Sequence, residues 1–333
     1  MRSHGLWALA WRRLRADRGG MAALAVVVVF LLMAALSAGG WLAADWEAEV
    51  GAHYAPPGFV GTGPVRAAGP AEASAALPDN PFDPLADDLR ALRAQLAAQH
   101  ATQAGRLPTL PFGGDKWGHD VIKKTIKGGE TSIVIGLAAA LLAVSLGTLF
   151  GALAGYCGGV VDDCLTWFYS VFTAIPSVLM ILAVAAVLQQ KGVLTIVLIL
   201  GLTGWTGPYR LMRAEYLKHR AREYVLAADA IGASHWRRMF GHIFPNVSHV
   251  ALVQMSILAV GFIKAEVILS FLGFGVPVGV VSWGSMLNEA QSELILGRWW
   301  QLAAAATAMA LLVTAFSLFT DALRDALDPK VKP

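Results

Sequence analysis

Six long apolar stretches alternate with polar segments along the chain. Five of them contain no Asp, Glu, Lys or Arg, and the remaining one is interrupted only by Lys264 and Glu266. The stretches cover residues 19–44, 131–161, 164–190, 192–209, 247–276 and 299–320. Each is long enough to cross a ~30 Å hydrocarbon layer, which takes ~18–20 residues of helix. Because backbone groups in lipid must be satisfied within the segment, the pattern predicts an all-α integral membrane protein with six transmembrane helices.

Composition agrees with this class, and the distribution of charge predicts the orientation. Hydrophobic residues make up 56% of the 333 positions and charged residues only 15%, which excludes ordinary soluble domains. A basic flank on the first span favours a cytoplasmic N-terminus. The residues of this flank are Arg2, Arg12, Arg13, Arg15 and Arg18. Six crossings then return the C-terminus to the cytoplasmic side, and no cleaved signal peptide is predicted because the first apolar stretch is too long.

The spans divide the chain into regions. Residues 1–20 are predicted to form a cytoplasmic interfacial helix, since Trp and Arg favour the headgroup level, and residues 21–44 the first transmembrane helix. Residues 45–130 form a long segment on the outside. Residues 131–320 form a five-helix core, and residues 321–333 a cytoplasmic tail.

The outer segment contains a second helical pattern. Leucines at helical spacing predict an amphipathic helix over about 84–103, with Asp83 as its N-cap and Pro84 at its first position. Two interpretations are open for it. The helix contacts a soluble, substrate-delivering protein or covers a translocation path, or its apolar stripe packs against the spans.

The polar segment 213–246 lies between the fourth and fifth spans and is longer than a simple connection needs. It predicts a helix over 223–231 that ends at Gly232, because glycine tolerates the left-handed conformation of a helix C-terminus. Ser234 is a suitable N-cap for a second helix over 235–244.

The surroundings of these two short helices indicate their side of the membrane. Pro245 is expected to close or kink the second helix before the fifth span. The segment carries six basic residues, Arg213, Lys218, Arg220, Arg222, Arg237 and Arg238. A basic, structured loop is typical of the cytoplasmic side, and its helices are suited to being gripped by a soluble partner.

Lys264 and Glu266 are the strongly charged residues inside a predicted span. Such residues usually face a bundle interior or an aqueous path. Since they are two positions apart, they point to different helix faces. Either they contact substrate in a translocation path, with Lys264 as the better candidate, or they serve packing, snorkelling or pairing with another subunit.

The sequence offers no catalytic site. It contains no GxxxxGK[ST] phosphate loop and no HExxH pair, and no histidine is placed to activate Ser282. His235, His242 and His249 are seven apart but no thiol or carboxylate joins them, so no metal site is predicted. The basic residues flank spans, so nucleic-acid binding is not expected.

Two cysteines, Cys157 and Cys164, lie at the connection between the second and third spans. A disulfide is not expected there because the count of spans puts them on the reducing side. They are interpreted as small, core-filling thiols.

Several segments carry a resemblance to a known family. They are FGGDKWGHDV (112–121), GYCGGVVD (155–162), AIP (174–176), YVLAADAIGA (224–233), HIFPN (242–246), SFLGFG (270–275), SWGSML (282–287) and LRDALDP (323–329). In this order they resemble the C-type permease of the dipeptide/oligopeptide/nickel group of bacterial ABC importers, and 224–246 is similar to that group's EAA loop. The resemblance covers 107–329 and the first span.

The resemblance implies a type I ABC importer permease fold in the bacterial inner membrane, with a cytoplasmic coupling helix. It implies that the chain forms half of a translocation path for di- or oligopeptides. The implied partners are a second homologous permease, two P-loop ATPase subunits and a periplasmic or lipid-anchored substrate-binding protein. ATP and magnesium would be bound by the ATPase subunits, and no cofactor by this chain.

The matching motifs also imply site residues. Those for coupling to the ATPase are Glu223, Tyr224, Ala227, Ala228, Gly232, Ala233, Ser234, Arg237 and Pro245. Those of the periplasmic motif before the second span are Gly113, Asp115, Gly118 and Asp120.

Departures from the family pattern bear on partners and cargo. Leu226 lies where many relatives carry the glutamate of EAA, and Gly114 and His119 replace a usual Thr and Arg. Trp167 and Ser170 stand where an Arg and an Asp are common. Nickel chelates or another small solute are therefore alternative cargoes. A secondary transporter is the alternative class, although no internal repeat of the kind common there is present.

Overall fold

The computed structural model describes residues 6–61, 106–188, 190–277 and 279–327, together with positions 88, 92 and 95. The described ranges are almost entirely helical. In chain order, the helices up to residue 220 are α1 (Leu6–Ala16), α2 (Arg18–Ala38), α3 (Val121–Cys157), α4 (Gly159–Thr173), α5 (Ser177–Leu188), α6 (Val193–Thr203) and α7 (Thr206–Arg220). After it come α8 (Glu223–Ala230), a π-helical segment (Arg237–Ile243), α9 (Phe244–Phe271), α10 (Trp283–Ile295) and α11 (Trp300–Leu327).

Four to five elements have the length and composition of membrane spans. They are α2, α3, the π-helical segment continued by α9, and α11, with the pair α4 and α5 as a fifth. That pair bends by 85° at its break. Pro176 explains the break, because it lacks a backbone N–H and disfavours helical geometry at the residue before it. The fourth predicted span corresponds to α6, which has only 11 residues and is followed by α7 after a short gap.

The helix bundle has two ends, each named here after a short helix that it holds. The end named here the α8 end holds α8, the π-helical segment, the last turn of α3 and the start of α2. The end named here the α10 end holds α10, the start of α3 and the segments 41–61 and 106–120. The long helix α9 runs from one end to the other.

Helix α3 forms the centre of the bundle, and glycines allow its close contacts. A Cβ at Gly147 would lie 2.5 Å from the Trp205 carbonyl oxygen, and one at Gly151 would lie 2.8 Å from the Met212 Cβ. Gly136 approaches Ile263 of α9 in the same way. Small residues on one stripe therefore bring α6–α7 and α9 against α3.

Two extended segments cover the α10 end. Isolated β-bridges join Glu49 to His119, Gly51 to Leu107, and Pro57 to Leu110. These bridges hold 49–57 against 106–120. Most of the chain between these two segments lies outside the described residues. The predicted amphipathic helix over 84–103 falls there, apart from the helical positions 88, 92 and 95.

Several predicted boundaries differ from the structure. Helix α3 starts at Val121 and not at 131, because its first-turn charges find partners at the α10 end. The polar segment does not begin at 213, since α7 continues to Arg220 and Arg213 pairs with Asp162 (Nη2–Oδ2 2.6 Å). The predicted five-helix core over 131–320 did not include α10, which lies within that range.

The N-terminal and cysteine predictions also need adjustment. Helix α2 ends at Ala38 and not at 44, and Asp17 separates it from α1 by accepting a bond from the Gly19 N–H. Ala10 and Leu14 of α1 are buried against Val253 and the end of α11, so α1 packs on the bundle. The interpretation of the cysteines as core residues is wrong, because Cys157 and Cys164 are both exposed; both thiols are free.

Candidate functional site

The first short helix of the polar segment ends as its sequence predicts. Helix α8 runs from Glu223 to Ala230, and Gly232 adopts φ +80°. The Ala233 N–H bonds back to the Ala228 carbonyl at 3.0 Å, which satisfies a terminal helix acceptor. The chain turns sharply here and α8 projects from the bundle as a separate element.

The second short helix differs from the prediction. Ser234 accepts the Arg237 N–H at 3.4 Å, in agreement with a cap, but 237–243 is π-helical and leads directly into α9. Pro245 does not close the element, because it lies in the first turn of α9, where its missing N–H needs no partner. The predicted end of the helix at Pro245 is wrong, because the π-helical segment and α9 form one continuous helix.

A compact set of contacts fixes α8 to the bundle. Val225 lies in a buried cluster with Tyr216 of α7 and Met239 of the π-helical segment. The Tyr216 hydroxyl donates to the Met239 carbonyl oxygen at 3.1 Å, and the Arg238 guanidinium pairs with Asp229 of α8. Any movement of α8 is thereby coupled to α7 and to the π-helical segment that continues as α9.

The face of α8 that points away from this cluster exposes large apolar side chains, and they continue into the turn after the helix. Leu226 is 57% exposed and Ile231 is 84% exposed, and Trp236 after the turn is also exposed. Large apolar side chains clustered on a projecting element mark a protein interaction surface. Leu226, the position at which the sequence departs from the family glutamate, belongs to this face.

The predicted coupling residues divide between the two faces. The outward ones are Glu223, Tyr224, Ala227, Gly232, Ser234, Arg237 and Pro245, with Ala233 half-buried. Ala228 is only 5% exposed and faces the bundle. A residue at that position cannot contact a docked protein directly, so substitutions there report on the attachment of α8.

A hydrogen bond between Tyr224 and His219 also connects the start of α8 to α7. The Tyr224 hydroxyl lies 2.7 Å from His219 Nδ1. Burial lowers the pKa of His219, against the opposing effect of Glu215. The neutral imidazole is the form suited to this hydrogen bond at neutral pH.

Lys264 and Glu266 lie in different surroundings on α9. Glu266 is fully buried and accepts hydrogen bonds from Ser132 of α3 and Ser270 of α9, both at 2.7 Å. Ser132 also accepts the Trp283 N–H at 3.2 Å, so this set of residues joins α3, α9 and α10. Lys264 is exposed and has no hydrogen-bond or ion-pair partner among the described residues.

The motif before α3 has a defined architectural role. Gly113 and Gly118 adopt φ near +89° and +88°, and Asp120 caps α3 by accepting the Ile122 N–H at 2.8 Å. Asp115 is fully buried and accepts the backbone N–H groups of Trp117 and His119, each at 2.9 Å.

Asp115 forms part of a buried charge cluster that sequence reasoning missed. Lys124 Nζ donates to Asp115 Oδ2 and to Glu289 Oε2, both at 2.7 Å, and to Gln301 Oε1 at 3.2 Å. Burial by itself raises the pKa of Asp115, but Lys124 and the hydrogen bonds outweigh it, so the pKa is lowered. The cluster joins the motif to α3, α10 and α11. In the sequence, Lys124 lies among other charged residues and before the apolar run that starts at 131. Its burial could have been predicted only if the helix had been expected to begin before that run.

Glu293 is the least compensated group near this cluster. It is 1% exposed, and both carboxylate oxygens lack a hydrogen-bond partner among the described residues. Burial raises its pKa to about 7; Asp115 and Glu289 add to the rise, while Lys124 and the nearby backbone N–H of Lys116 oppose it.

Long apolar helices packed around α3, with the short helix α8 fixed at one end, define a polytopic helical membrane protein. Residues 147–333 match the family described as binding-protein-dependent transport system inner membrane component. Residues 5–57 match the N-terminal TM domain of oligopeptide transport permease C. The chain belongs to this family of transport-system inner membrane components, which confirms the resemblance carried by the sequence motifs.

Curated relatives agree with the assignment. The chain is 36% identical over 221 residues to the dipeptide transport system permease protein DppC of Bacillus subtilis, covering 66% of this chain and 69% of the relative. It is 37% identical over 221 residues to the oligopeptide transport system permease protein OppC of the same organism, covering 66% and 72%. DppC of Lactococcus lactis is 34% identical over 219 residues, covering 66% and 63%.

Proposed function

We propose that the chain is one of two permease subunits of an ATP-driven importer for dipeptides or oligopeptides. It forms half of the translocation path and couples to an ATPase subunit through α8. The observation that carries this proposal is the exposure of two large apolar side chains, Leu226 on α8 and Ile231 directly after it, on an element that is otherwise fixed to the bundle. A partner that grips α8 would move it as a rigid body together with α7 and α9.

The proposed topology has six spans and both termini in the cytoplasm of a bacterial inner membrane. Helix α6 with the first part of α7 serves as the span that its length alone does not supply. The α8 end then faces the cytoplasm, where the basic side chains around α8 favour it. The α10 end faces the outside, where a periplasmic or lipid-anchored binding protein delivers substrate.

A second permease is proposed to pack on α4 and α5. Helix α4 has no buried residue, and Trp167 and Val187 are largely exposed. A bent helix pair so weakly covered by its own chain fits a subunit interface that also encloses the path. Lys264 remains the candidate for substrate contact on α9, while the hydrogen bonds of Glu266 favour a structural role for that carboxylate.

The cargo proposal follows the names of the relatives, which are dipeptide and oligopeptide permeases. Nickel chelates or another small solute are the alternatives within the family. ATP and magnesium are proposed to bind to two P-loop ATPase subunits, and the chain itself is proposed to be non-catalytic. A secondary transporter would need no surface like that of α8.

Copurification tests the coupling surface. The tagged chain is expressed with its second permease and ATPase subunits, solubilised in mild detergent and captured. Ile231→Asp is expected to lose most of the ATPase, because a charge replaces the most exposed large apolar side chain at the end of α8. Peptide uptake into vesicles should fall in parallel.

Ile295→Asp is the matched control. Ile295 is 86% exposed against 84% for Ile231 but lies at the α10 end. It should retain the ATPase at the level of the wild type. Full retention of the ATPase by Ile231→Asp would contradict docking at this face, and a chain that captures no ATPase at all would contradict the importer proposal.

A further inference from the structure

A cavity of about 610 Å³ lies at the α10 end, and no residue of it belongs to the coupling surface. Its walls come from the segment after α2, the motif before α3 with the start of that helix, the connection between α5 and α6, the end of α9 with the loop that follows it, and α10. The volume is in the range of small-molecule sites, which is ~300–1,000 Å³. The size suits a ligand of a few amino-acid residues.

The charges that line the cavity are of both signs, and some are already neutralised. Lys124 and Glu289 pair at 2.7 Å and neutralise each other. Lys116 keeps its positive charge, with its Nζ 5.5 Å from the centre of the Trp117 ring. Lys191 and Glu47 are exposed into the same cavity and have no hydrogen-bond or ion-pair partner among the described residues. They come from different walls and do not pair with each other.

We propose that this cavity binds a short peptide by its two charged termini, with Lys191 facing the carboxylate and Glu47 facing the ammonium group. The proposal rests on the proposed function and assigns the outward-facing receiving site of the path. A simple anion would leave Glu47 unpaired and a simple cation would leave Lys191 unpaired. The indole rings of Trp46 and Trp117 provide apolar and aromatic surface for the side chains between the termini.

The floor of the cavity connects this site to the rest of the fold. Ser270, which donates to Glu266 at 2.7 Å, lines the cavity. The site therefore lies directly above the polar residues that join α3, α9 and α10. A ligand that enters here reaches the outer end of α9, the same helix that carries Lys264 further along.

Terminus-blocked peptides test the assignment in vesicles that contain the complete importer and its binding protein. Uptake of free trialanine is compared with uptake of N-acetyl-trialanine and trialanine amide, each at subsaturating concentration. Glu47→Gln should lower uptake of the free and amidated peptides about fivefold, the effect of one accessible ion pair, and leave the N-acetyl peptide unchanged. Lys191→Gln should spare the amide and lower the other two to a similar extent.

Because every variant is measured with the same binding protein, its own preference for termini cancels in the ratio to wild type. Glu47→Asp and Lys191→Arg should restore most of the preference. Equal losses for free and blocked peptides, or no change in any of them, would overturn the assignment of the cavity. A wild-type complex that retains its ATPase but imports no peptide would overturn the peptide cargo, and with it this inference, without touching the coupling surface.

Discussion

The two ends of the molecule use polar and apolar residues in opposite ways. At the α10 end, Asp115, Lys124 and Glu293 are buried, and charge is concentrated inside the protein. At the α8 end, Leu226 and Ile231 are exposed, and apolar surface is presented outside. The long helices α3 and α9 join the two.

The difference follows from what each end must hold. A surface that stays bound to a partner protein gains from apolar contact, which is strong and non-directional. A region that keeps several chain segments in one arrangement gains from directional bonds among charged groups, provided that every charge has a partner. The α10 end is accordingly expected to respond to single substitutions through stability, and the α8 end through binding.

The largest expected effect is at the centre of the charge cluster. Lys124→Met should lower the free energy of unfolding by ~3–5 kcal/mol, because it leaves the buried Asp115 without its ion-pair partner. The unfolding midpoint in detergent measures it. Lys123→Met is the neighbouring control, since Lys123 pairs with Asp45 on the surface and should contribute no more than ~1 kcal/mol. Similar losses in both variants would show that the cluster is not buried as described.

The next effect depends on pH and involves Glu293. Because its pKa is raised from 4.5 to about 7, the folded state binds the proton more tightly than the unfolded state. Stability from this group is complete below pH 4.5, decreases as pH rises and is lost above about pH 7, a total of about 3 kcal/mol.

Glu293→Gln removes this titration. The unfolding midpoint of the variant, relative to wild type, should rise between about pH 4 and about pH 8 and then level off. Any constant offset reflects the new amide and not the titration. A difference that is flat across this range would mean that Glu293 titrates normally.

A smaller effect is expected where α8 is attached. Tyr216→Phe removes the hydroxyl that donates to the Met239 carbonyl and should cost ~1 kcal/mol. Tyr169→Phe is the matched control, since the Tyr169 hydroxyl has no hydrogen-bond partner among the described residues. Equal midpoints for the two variants would argue that the Tyr216 bond does not contribute.

The smallest effect on stability is expected at the exposed face of α8. Ile231→Asp should change the free energy of unfolding by no more than ~0.5 kcal/mol while most of the ATPase is lost. The comparison of the two ends predicts this separation of stability from binding. A large loss of stability in this variant would mean that Ile231 is covered by the chain itself.

Local sequence patterns were sufficient for the elements that depend on local chemistry. Gly232 marked the end of α8 because a left-handed residue is required there. The break at Pro176 was not predicted, since 164–190 was interpreted as one uninterrupted span. The α10 helix was missed because its apolar residues are interrupted by Asn288, Glu289 and Glu293, which make it too polar for a span. Ser282 and Ser285 form its capping box, which is a local signal for the start of a helix that was not used in the prediction.

The sequence by itself determined the class of the protein, since lipid leaves helices as the solution for long apolar runs. It also determined the family, the basic character of the polar segment and the turn at Gly232. Tertiary structure alone decided which side of α8 is free, so that Ala228 is buried while Leu226 is exposed. It also decided that Lys124 bonds to Glu289 and Gln301, far away along the chain. The physical reason is that burial and charge pairing depend on which segments meet in space, and no local pattern encodes that meeting.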